Sequence, residues 1–239
     1  MGKADLHIHT RISDGMASVG QVLEYIETRT DLDVVAITDH EDVRGGKEAR
    51  EIAASRGYRF EVIPGAEITT LQGHLLALFI EHTPPSFRGI EATLDAIHAQ
   101  GGLAIAPHPM SWLTRSISRR TLDRLTAIDG PRLDAIELAN PSPAALRTRK
   151  NAIALNDASW KLPATGGSDA HHLPHIGAGW TQFAGSTAGQ LRTAIHSGTT
   201  QALMRPYPSL REVGFMRVAA GLVWGYSATP RKMLRMRRP

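Results

Sequence analysis

The sequence predicts an α/β protein folded as a short barrel, in which strands and helices alternate along the chain. Seven short apolar segments rich in β-branched residues recur over roughly the first 170 residues, and longer amphipathic segments fill most of the gaps. Glycines stand just past the ends of several of the helical segments, where a left-handed backbone ends a helix. With 239 residues, the chain is long enough for one barrel of this kind.

The predicted elements follow one another in the order of βα units. The strands are Ala4–His9, Asp33–Thr38, Phe60–Glu67, His74–Ile80, Leu103–Pro107, Ala135–Ala139 and Leu162–Gly166, with further strands expected at Ala178–Phe183 and Thr200–Met204. The helices are Ser18–Thr28, Arg44–Arg56, Ile90–Gln100, Arg119–Ile128 and Pro143–Ser159, with another near Gly189–Ser197. We expect Asn140 to cap the helix that begins at Pro143.

One connection departs from the βα order. Only six residues separate Glu67 from His74, whereas a right-handed crossover between parallel strands needs roughly ten to twelve. The third and fourth strands should therefore form an antiparallel hairpin, with its turn near Gly73. The hairpin would bring Glu67 and His74 to the same face of the barrel.

Composition limits the chemistry of any metal site. The chain contains no cysteine, so disulfides and thiolate ligands are excluded and a metal must be held by imidazole and carboxylate. Hydrophobic residues make up 42% and charged residues 21% of the chain, as in ordinary globular proteins. The first residues lack the apolar core of a signal peptide, and no apolar run reaches the ~18 residues of a membrane span. We expect a cytoplasmic protein.

The net charge of +4 is unevenly distributed. From residue 201 onward eight basic residues face one acid, which makes that part +7 and leaves −3 for residues 1–200. We expect one barrel domain over residues 1–225 and a solvated basic tail over residues 226–239. The body of the protein does not have the charge of a nucleic-acid-binding surface, so nucleic acid is not the favoured partner.

Most of the predicted strands end in side chains that can bind metal ions. In a barrel, strand ends converge on one face, where active sites are built. Any one of these residues alone is more often an ordinary turn residue, helix cap or hydrogen-bonded histidine. Together they form a pattern, because six of the eleven histidines fall at strand ends. The converging residues are His7, His9, Asp14, His40, Glu67, His74, His108, Asp169 and His171.

Nine such groups exceed what one metal ion can bind, and a cluster of this kind is difficult to stabilise without cations. The sequence therefore predicts a centre with more than one metal ion. The motifs that carry these groups are Asp5–Thr10, Ser13–Gly15, Ile37–His40, Gly65–Glu67, Gly73–Leu75, Ala106–Pro109 and Gly167–His171.

In this order and spacing, the motifs resemble those of the PHP (polymerase and histidinol phosphatase) family. The resemblance implies an irregular (β/α)7 barrel, similar to a TIM barrel, and two or three divalent ions of Zn, Mn or Fe that serve phosphate ester hydrolysis. One ion would use His7, His9, Glu67 and Asp169; a second would share Glu67 and add His74 and His108; a third would use Asp14, His40 and His171. Asp14 stands where some members carry histidine.

The function expected from this reading is hydrolysis of a small phosphorylated metabolite, nucleotide or short oligonucleotide by a metal-activated hydroxide. Arg11, Arg44 and Arg115, with Arg115 in the loop after His108, are the candidates for binding phosphate. Hydroxide supplied by the metal centre needs no protein base, but His172 and His175 are candidate proton donors. Asp39 and Glu137 are candidates for orienting the ligands.

Three alternatives remain open. A 3′-5′ exonuclease acting on single-stranded nucleic acid would use the basic tail and show strongly salt-dependent degradation. An amidohydrolase could use a similar barrel but typically bridges its metals with a carbamylated lysine, and no lysine lies at an assigned strand end. A non-catalytic regulatory module would bind metal without hydrolysing any ester.

Overall fold

Nine strands form a single sheet that curls into a nearly closed barrel. The computed structural model describes residues 1–127 and 132–214. The strands are β1 (Gly2–Ile8), β2 (Val34–Ile37), β3 (Glu61–Thr69), β4 (His74–Leu78), β5 (Leu103–Ala106), β6 (Ala135–Ala139), β7 (Ala164–Gly166), β8 (Gly179–Phe183) and β9 (Gln201–Met204). The helices are α1 (Val19–Arg29), α2 (Arg44–Arg56), α3 (Ile90–His98), α4 (Arg119–Ala127), α5 (Pro143–Leu155), α6 (Ala188–His196) and α7 (Leu210–Val213). The predicted barrel is confirmed.

The sheet order is β7-β6-β5-β4-β3-β2-β1-β8-β9. Strands β1, β2 and β3 are parallel, and so are β5, β6 and β7. Strand β4 runs antiparallel to both of its neighbours, and Thr69 of β3 pairs with His74 of β4. The hairpin predicted from the short connection is therefore confirmed. Because β4 starts where β3 ends, His74 lies at the end of the barrel where the C-terminal ends of the parallel strands are found.

Strands β8 and β9 complete the barrel by closing the gap beside β7. The Gly166 amide donates to Thr181 Oγ1 at 2.8 Å, and the Thr200 hydroxyl donates to the Ala164 carbonyl at 2.7 Å. The backbone packs so closely here that a Cβ on Gly179 would lie 2.3 Å from the carbonyl oxygen of Gly167. Glycine is needed at this point because any side chain would push β8 away from the end of β7.

Helix ends follow the local sequence, with one correction. Ser18 caps α1 in a capping box with Gln21. The expected cap of α5, Asn140, is wrong, because the N-cap is Ser142, whose hydroxyl accepts from the Ala145 amide at 3.4 Å. Asn140 lies two residues earlier, where its Oδ1 accepts from the Ser142 amide at 2.8 Å. Its amide is thereby directed towards the barrel and away from the helix.

Two sequence predictions extend beyond the described residues. The helix expected to end at Ile128 is seen as far as Ala127. The proposed basic tail, residues 226–239, and the last part of the proposed domain lie outside the described chain. Within residues 1–127 and 132–214, no helix is long and apolar enough to cross a membrane.

An apolar plug fills the end of the barrel where the parallel strands begin. Ala4, Val34 and Leu103, which stand near the starts of β1, β2 and β5, belong to one buried cluster with Phe183 of β8. Leu191, Ala194 and Ile195 of α6 belong to the same cluster. Since apolar side chains fill this end, the polar residues of the barrel lie at the opposite end.

We predict that Phe183→Ala will strongly destabilise the fold. The side chain is fully buried, and removing a buried phenylalanine costs about 3–5 kcal/mol in transfer free energy and cavity formation. Urea unfolding should show this loss of stability, whereas the control Phe87→Ala, at a position that is 43% exposed, should change stability far less. Equal effects of the two substitutions would mean that Phe183 does not hold the plug together.

Candidate metal centre

The nine side chains named from the sequence meet at the open end of the barrel. They come from the ends of β1, β2, β3, β5 and β7, the start of β4, and the loops that follow. His7, His9, Glu67 and His108 are buried, with 2% exposure or less. The Asp14, His40 and His171 side chains are 16%, 24% and 33% exposed, so the cluster opens to solvent on their side.

Glu67 lies at the middle of the cluster and contacts five imidazoles. One carboxylate oxygen lies 3.2 Å from His7 Nε2, 3.3 Å from His9 Nε2 and 3.5 Å from His40 Nδ1. The other lies 2.7 Å from His74 Nδ1 and 3.1 Å from His108 Nε2. Each oxygen therefore faces its own group of imidazoles, so Glu67 would be available to ions held on either side.

Two aspartates border the group on either side. Asp169 Oδ1 lies 3.6 Å from both His7 Nε2 and His9 Nε2. Asp14 Oδ2 lies 3.0 Å from His171 Nε2 and 3.6 Å from His40 Nε2. The two carboxylates face His9 from opposite sides, since Asp14 Oδ1 is also 3.6 Å from His9 Nδ1.

The donor atoms fall into four overlapping groups, each compact enough for one ion. These are His9, Asp14, His40 and His171; His7, His9 and Asp169; His7, Glu67 and His108; and His40, Glu67 and His74. The groups overlap the three sets implied by the family resemblance but are divided differently. His9 joins the group around Asp14, and His40 also reaches Glu67 and His74.

The donor set fits divalent cations. Both ring nitrogens of His9 and Nδ1 of His74 are buried and form no hydrogen bond with the described residues, although carboxylate oxygens lie nearby. Buried polar atoms without a partner are costly. Neutral imidazole and carboxylate are ligands for Zn, Mn and Fe, so coordination would satisfy these atoms.

The charges in the cluster shift the pKa values of its members in opposite directions. Burial alone would lower the pKa of His9, but the adjacent Asp169 and Glu67 raise it to about 10. The pKa of Glu67 stays well below its usual range because the surrounding imidazoles, His74 and His40 foremost, outweigh its burial. Without cations, the cluster therefore balances its carboxylates with protons on imidazole.

A second layer of polar groups fixes the orientation of the ligands. Glu137 Oε1 lies 3.1 Å from His7 Nδ1, and its Oε2 accepts from the His108 amide at 2.8 Å and from the Asn140 side chain at 2.7 Å. His108 Nδ1 lies 2.7 Å from the hydroxyl of Ser116. Contacts of this kind set the tautomer of an imidazole and direct its other nitrogen into the centre.

Asp39 supports the loop between His9 and Asp14 with its carboxylate, and its backbone carbonyl accepts from the Glu67 amide at 3.3 Å. It follows β2, and its carboxylate accepts from the Thr10 amide at 2.8 Å and from the Ser13 hydroxyl at 2.6 Å. It thereby holds the loop between His9 and Asp14. Both carboxylates that were candidates for orienting the ligands are buried, Glu137 beside the imidazoles and Asp39 beside the loop.

Gly167 leaves the space that the centre requires. A Cβ at this position would lie 2.6 Å from both Glu137 Oε1 and His7 Cβ. Any other residue would displace the carboxylate that supports His7. The glycine that precedes Ser168 and Asp169 is therefore part of the construction of the site.

Tyr207 is a site residue that the sequence reading missed. Its hydroxyl donates to the carbonyl oxygen of Ser168 and lies 3.3 Å from that of Asp169. Asp169 has a left-handed φ of 53°, which is unfavourable for a non-glycine residue and must be held by its surroundings. Tyr207 follows β9 and lies 38 positions after Asp169, in a segment that matches none of the motifs.

The structure does not favour His175 as a proton donor. Its ring stacks on Tyr207 with centroids 3.9 Å apart. Burial and the neighbouring His172 and His171 lower the pKa of His175 to about 4, so the ring is uncharged at neutral pH and is a weak acid. His172 lies beside it, with ring centroids 5.4 Å apart, and its role remains a prediction.

The three arginines proposed for phosphate binding lie in different surroundings. Arg11 is exposed and donates to the Met16 carbonyl at 3.0 Å across the loop that carries Asp14. Arg44 is paired with Asp42 at 2.7 Å and lines a surface groove of about 480 Å³ together with Lys47 and Glu51.

Arg115 contributes to the site through its backbone. Its carbonyl accepts from the His74 amide at 2.7 Å, while its guanidinium lies 5.8 Å from the ring centre of Phe87. Phosphate binding by any of the three arginines stays a prediction.

Comparison with known proteins agrees with the fold and the donor set. A family model described as PHP-associated matches residues 155–200. An uncharacterised protein of Methanocaldococcus jannaschii is 36% identical over 149 residues, covering 58% of this chain and 81% of that protein. A solved two-domain protein of Bacteroides vulgatus, containing a predicted PHP-like metal-dependent phosphoesterase, superposes with a TM-score of 0.66 at 21% identity, covering 85% of this chain and 64% of that one.

Two curated enzymes match a shorter stretch. The 3′,5′-nucleoside bisphosphate phosphatase of Chromobacterium violaceum is 33% identical over 90 residues, covering 36% of this chain and 30% of the enzyme. The 5′-3′ exoribonuclease of Salmonella typhimurium is 33% identical over 88 residues, covering 35% and 30%. The fold and these relatives define a metal-dependent hydrolase of phosphate ester bonds. The chain belongs to the PHP family.

We predict that Tyr207→Phe will weaken metal binding while leaving the fold intact. The substitution keeps the ring that stacks on His175 but removes the hydroxyl that holds the Ser168 and Asp169 carbonyls. Loss of a group that positions a ligand costs about 10- to 100-fold in metal affinity or activity. Titration with Mn²⁺ should show this loss, and thermal unfolding of the metal-free variant should stay close to that of the wild type. An unchanged Mn²⁺ affinity would show that Tyr207 does not position Asp169.

Proposed function

We propose that this protein hydrolyses a small phosphorylated metabolite or nucleotide, and that the nine clustered residues hold two or three divalent ions for this purpose. The observation that carries the proposal is the contact of one buried carboxylate, Glu67, with five imidazoles. A carboxylate surrounded in this way suits a bridge between cations. Divalent cations, when bound, supply an activated water and neutralise the charge that develops on phosphate oxygens.

Residues of the chain provide access for the substrate, orient the ligands and contact the phosphate. The partly exposed side, with Asp14, His40 and His171, is where a phosphate can approach. Glu137 and Asp39 keep the ligands and their loop in place, so the centre is organised before substrate arrives. Arg11, exposed on the loop that carries Asp14, is the best placed of the proposed arginines to meet a phosphate oxygen.

A small substrate is favoured over a long nucleic acid. The described residues carry the cluster on a single barrel, and residues 1–200 have a net charge of −3, which opposes sequence-independent binding along a phosphate backbone. One observation favours an exonuclease as the second candidate, namely the similarity to a 5′-3′ exoribonuclease. That enzyme is a 5′-3′ exoribonuclease, whereas the exonuclease considered as an alternative in the sequence analysis has 3′-5′ polarity.

We predict that metal binding releases protons and strengthens as the pH rises. Burial lowers the pKa of His7, His108 and His171, but the carboxylates around them raise it above the usual range. Imidazoles with raised pKa values keep their protons to a higher pH than a free histidine, and a cation must displace those protons because only the neutral ring coordinates. Calorimetry in buffers of different ionisation enthalpy should detect the released protons. Metal affinity that does not change with pH would contradict this charge balance.

We predict that the Mn²⁺-loaded protein hydrolyses phosphate esters and that His9→Ala abolishes this activity. His9 contacts Glu67, Asp14 and Asp169, so its loss should cost at least about a hundredfold, the upper range seen when groups beside a metal centre are removed. A panel of monoesters, diesters and short oligonucleotides, assayed by phosphate release and chromatography, identifies the preferred ester.

The control is His98→Ala. His98 pairs with Asp134 at 2.9 Å at the other end of the barrel, so its loss should leave turnover unchanged. A wild-type protein that binds metal but hydrolyses no member of the panel would support the regulatory alternative. Equal activity of wild type and His9→Ala would refute the proposed centre.

A further inference from the structure

Two pairs of an arginine and an aromatic ring, Trp112 with Arg147 and Phe87 with Arg115, lie on elements that adjoin the strand ends of the metal centre. We refer to these four residues as the aromatic rim. Trp112 is 70% and Phe87 43% exposed. The Arg147 guanidinium lies 5.1 Å from the ring centre of Trp112, and the Arg115 guanidinium 5.8 Å from that of Phe87. An indole this exposed is unusual for a residue that serves packing.

The loop that carries Trp112 also holds two of the proposed ligands. Ser116 lies 2.7 Å from His108 Nδ1, and the Arg115 carbonyl accepts from the His74 amide at 2.7 Å. Trp112 follows His108 by four residues, so their Cα atoms are at most about 14 Å apart. The rim is therefore within reach of a small molecule whose phosphate occupies the centre.

The other members of the rim are tied to the same region. Next to Arg147, the Thr148 hydroxyl donates to the carbonyl of Pro109, the residue after His108, at 2.9 Å. The Phe87 amide donates to the Thr69 carbonyl at the end of β3, at 2.7 Å. The rim thus rests on the strand ends that deliver the ligands, and its position is fixed relative to theirs.

The charge of the rim suits an anionic, aromatic ligand. The loop between β5 and α4, which supplies Trp112 and Arg115, contains no aspartate or glutamate. The loop between β4 and α3, which supplies Phe87, contains one acid, Glu81, and its carboxylate is paired with Arg50 at 2.6 Å. A flat indole offers a stacking face to any nucleobase, and guanidinium groups beside it favour a ligand that carries negative charge. A nucleotide has both features in one molecule.

We propose that the aromatic rim is a base-stacking subsite, in which Trp112 stacks on the nucleobase of a nucleotide while its phosphate lies in the metal centre. This inference rests on the proposed function and narrows its substrate class to phosphate esters that carry a base. The Arg147 guanidinium lies over the Trp112 ring, 5.1 Å from its centre, and supports the indole.

The experiment compares two hydrolysis-resistant phosphonates, those of AMP and of ribose 5-phosphate, in which a methylene group replaces the ester oxygen. Their binding to the Mn²⁺-loaded protein is measured by calorimetry. Stacking on an aromatic side chain is worth about 5- to 150-fold in affinity, so the wild type should bind the nucleotide analogue more tightly by a factor in that range. Trp112→Ala should bring the two affinities close together, and Trp112→Phe should retain most of the preference.

Arg56→Ala provides a matched control, because Arg56 is an exposed arginine at the end of α2; it should leave both affinities unchanged. The proposal is overturned if wild type and Trp112→Ala show the same ratio of affinities, or if neither analogue binds. It is also overturned if Trp112→Ala changes the sedimentation of the protein and not the ratio, since the rim would then join two copies of the chain. Hydrolysis of base-free esters tests the proposed function separately, because it does not require the rim.

Discussion

The structure depends on the balance of charge around Glu67. A carboxylate with 1% exposure could not remain ionised in an apolar barrel, yet five imidazoles surround it and keep its pKa well below the usual range. The same contacts draw His7, His9, His40, His74 and His108 to one point. Strands β1 to β5 therefore all direct side chains towards a single carboxylate, and the apolar plug at the other end leaves this as the polar end of the barrel.

The reversed strand β4 makes this arrangement possible. In a regular parallel barrel each strand contributes its last residues to the active face, so His74, as the first residue of a strand, would lie at the wrong end. The hairpin turns β4 around and places His74 Nδ1 2.7 Å from Glu67. The antiparallel strand β4 thus allows the short connection after β3 to place His74 next to Glu67.

Much of this could be read from the sequence because the relevant signals are local. Strand ends, the hairpin and the meeting of nine metal-binding side chains all follow from apolar patterning, connection length and the convergence of barrel strands. What could not be read depends on contacts distant in the chain. Tyr207 reaches Ser168 across 39 positions, and Asn140 supports Glu137 in place of capping a helix. The division of the ligands into groups also depends on rotamers, which no spacing rule specifies.

The contacts between β1 and the segment after β7 have a further consequence for the stability of the fold. Asp5 accepts from the Ser168 amide across 163 positions, and the His9 amide donates to the Ala170 carbonyl at 3.0 Å. Ions shared by His9 and Asp169 would join the same two segments. Bound metal would then act as a noncovalent cross-link between the first strand and the segment after the seventh, and it would stabilise the folded state in proportion to the logarithm of metal concentration. The supply of metal would thereby govern how long the barrel persists, as well as what it catalyses.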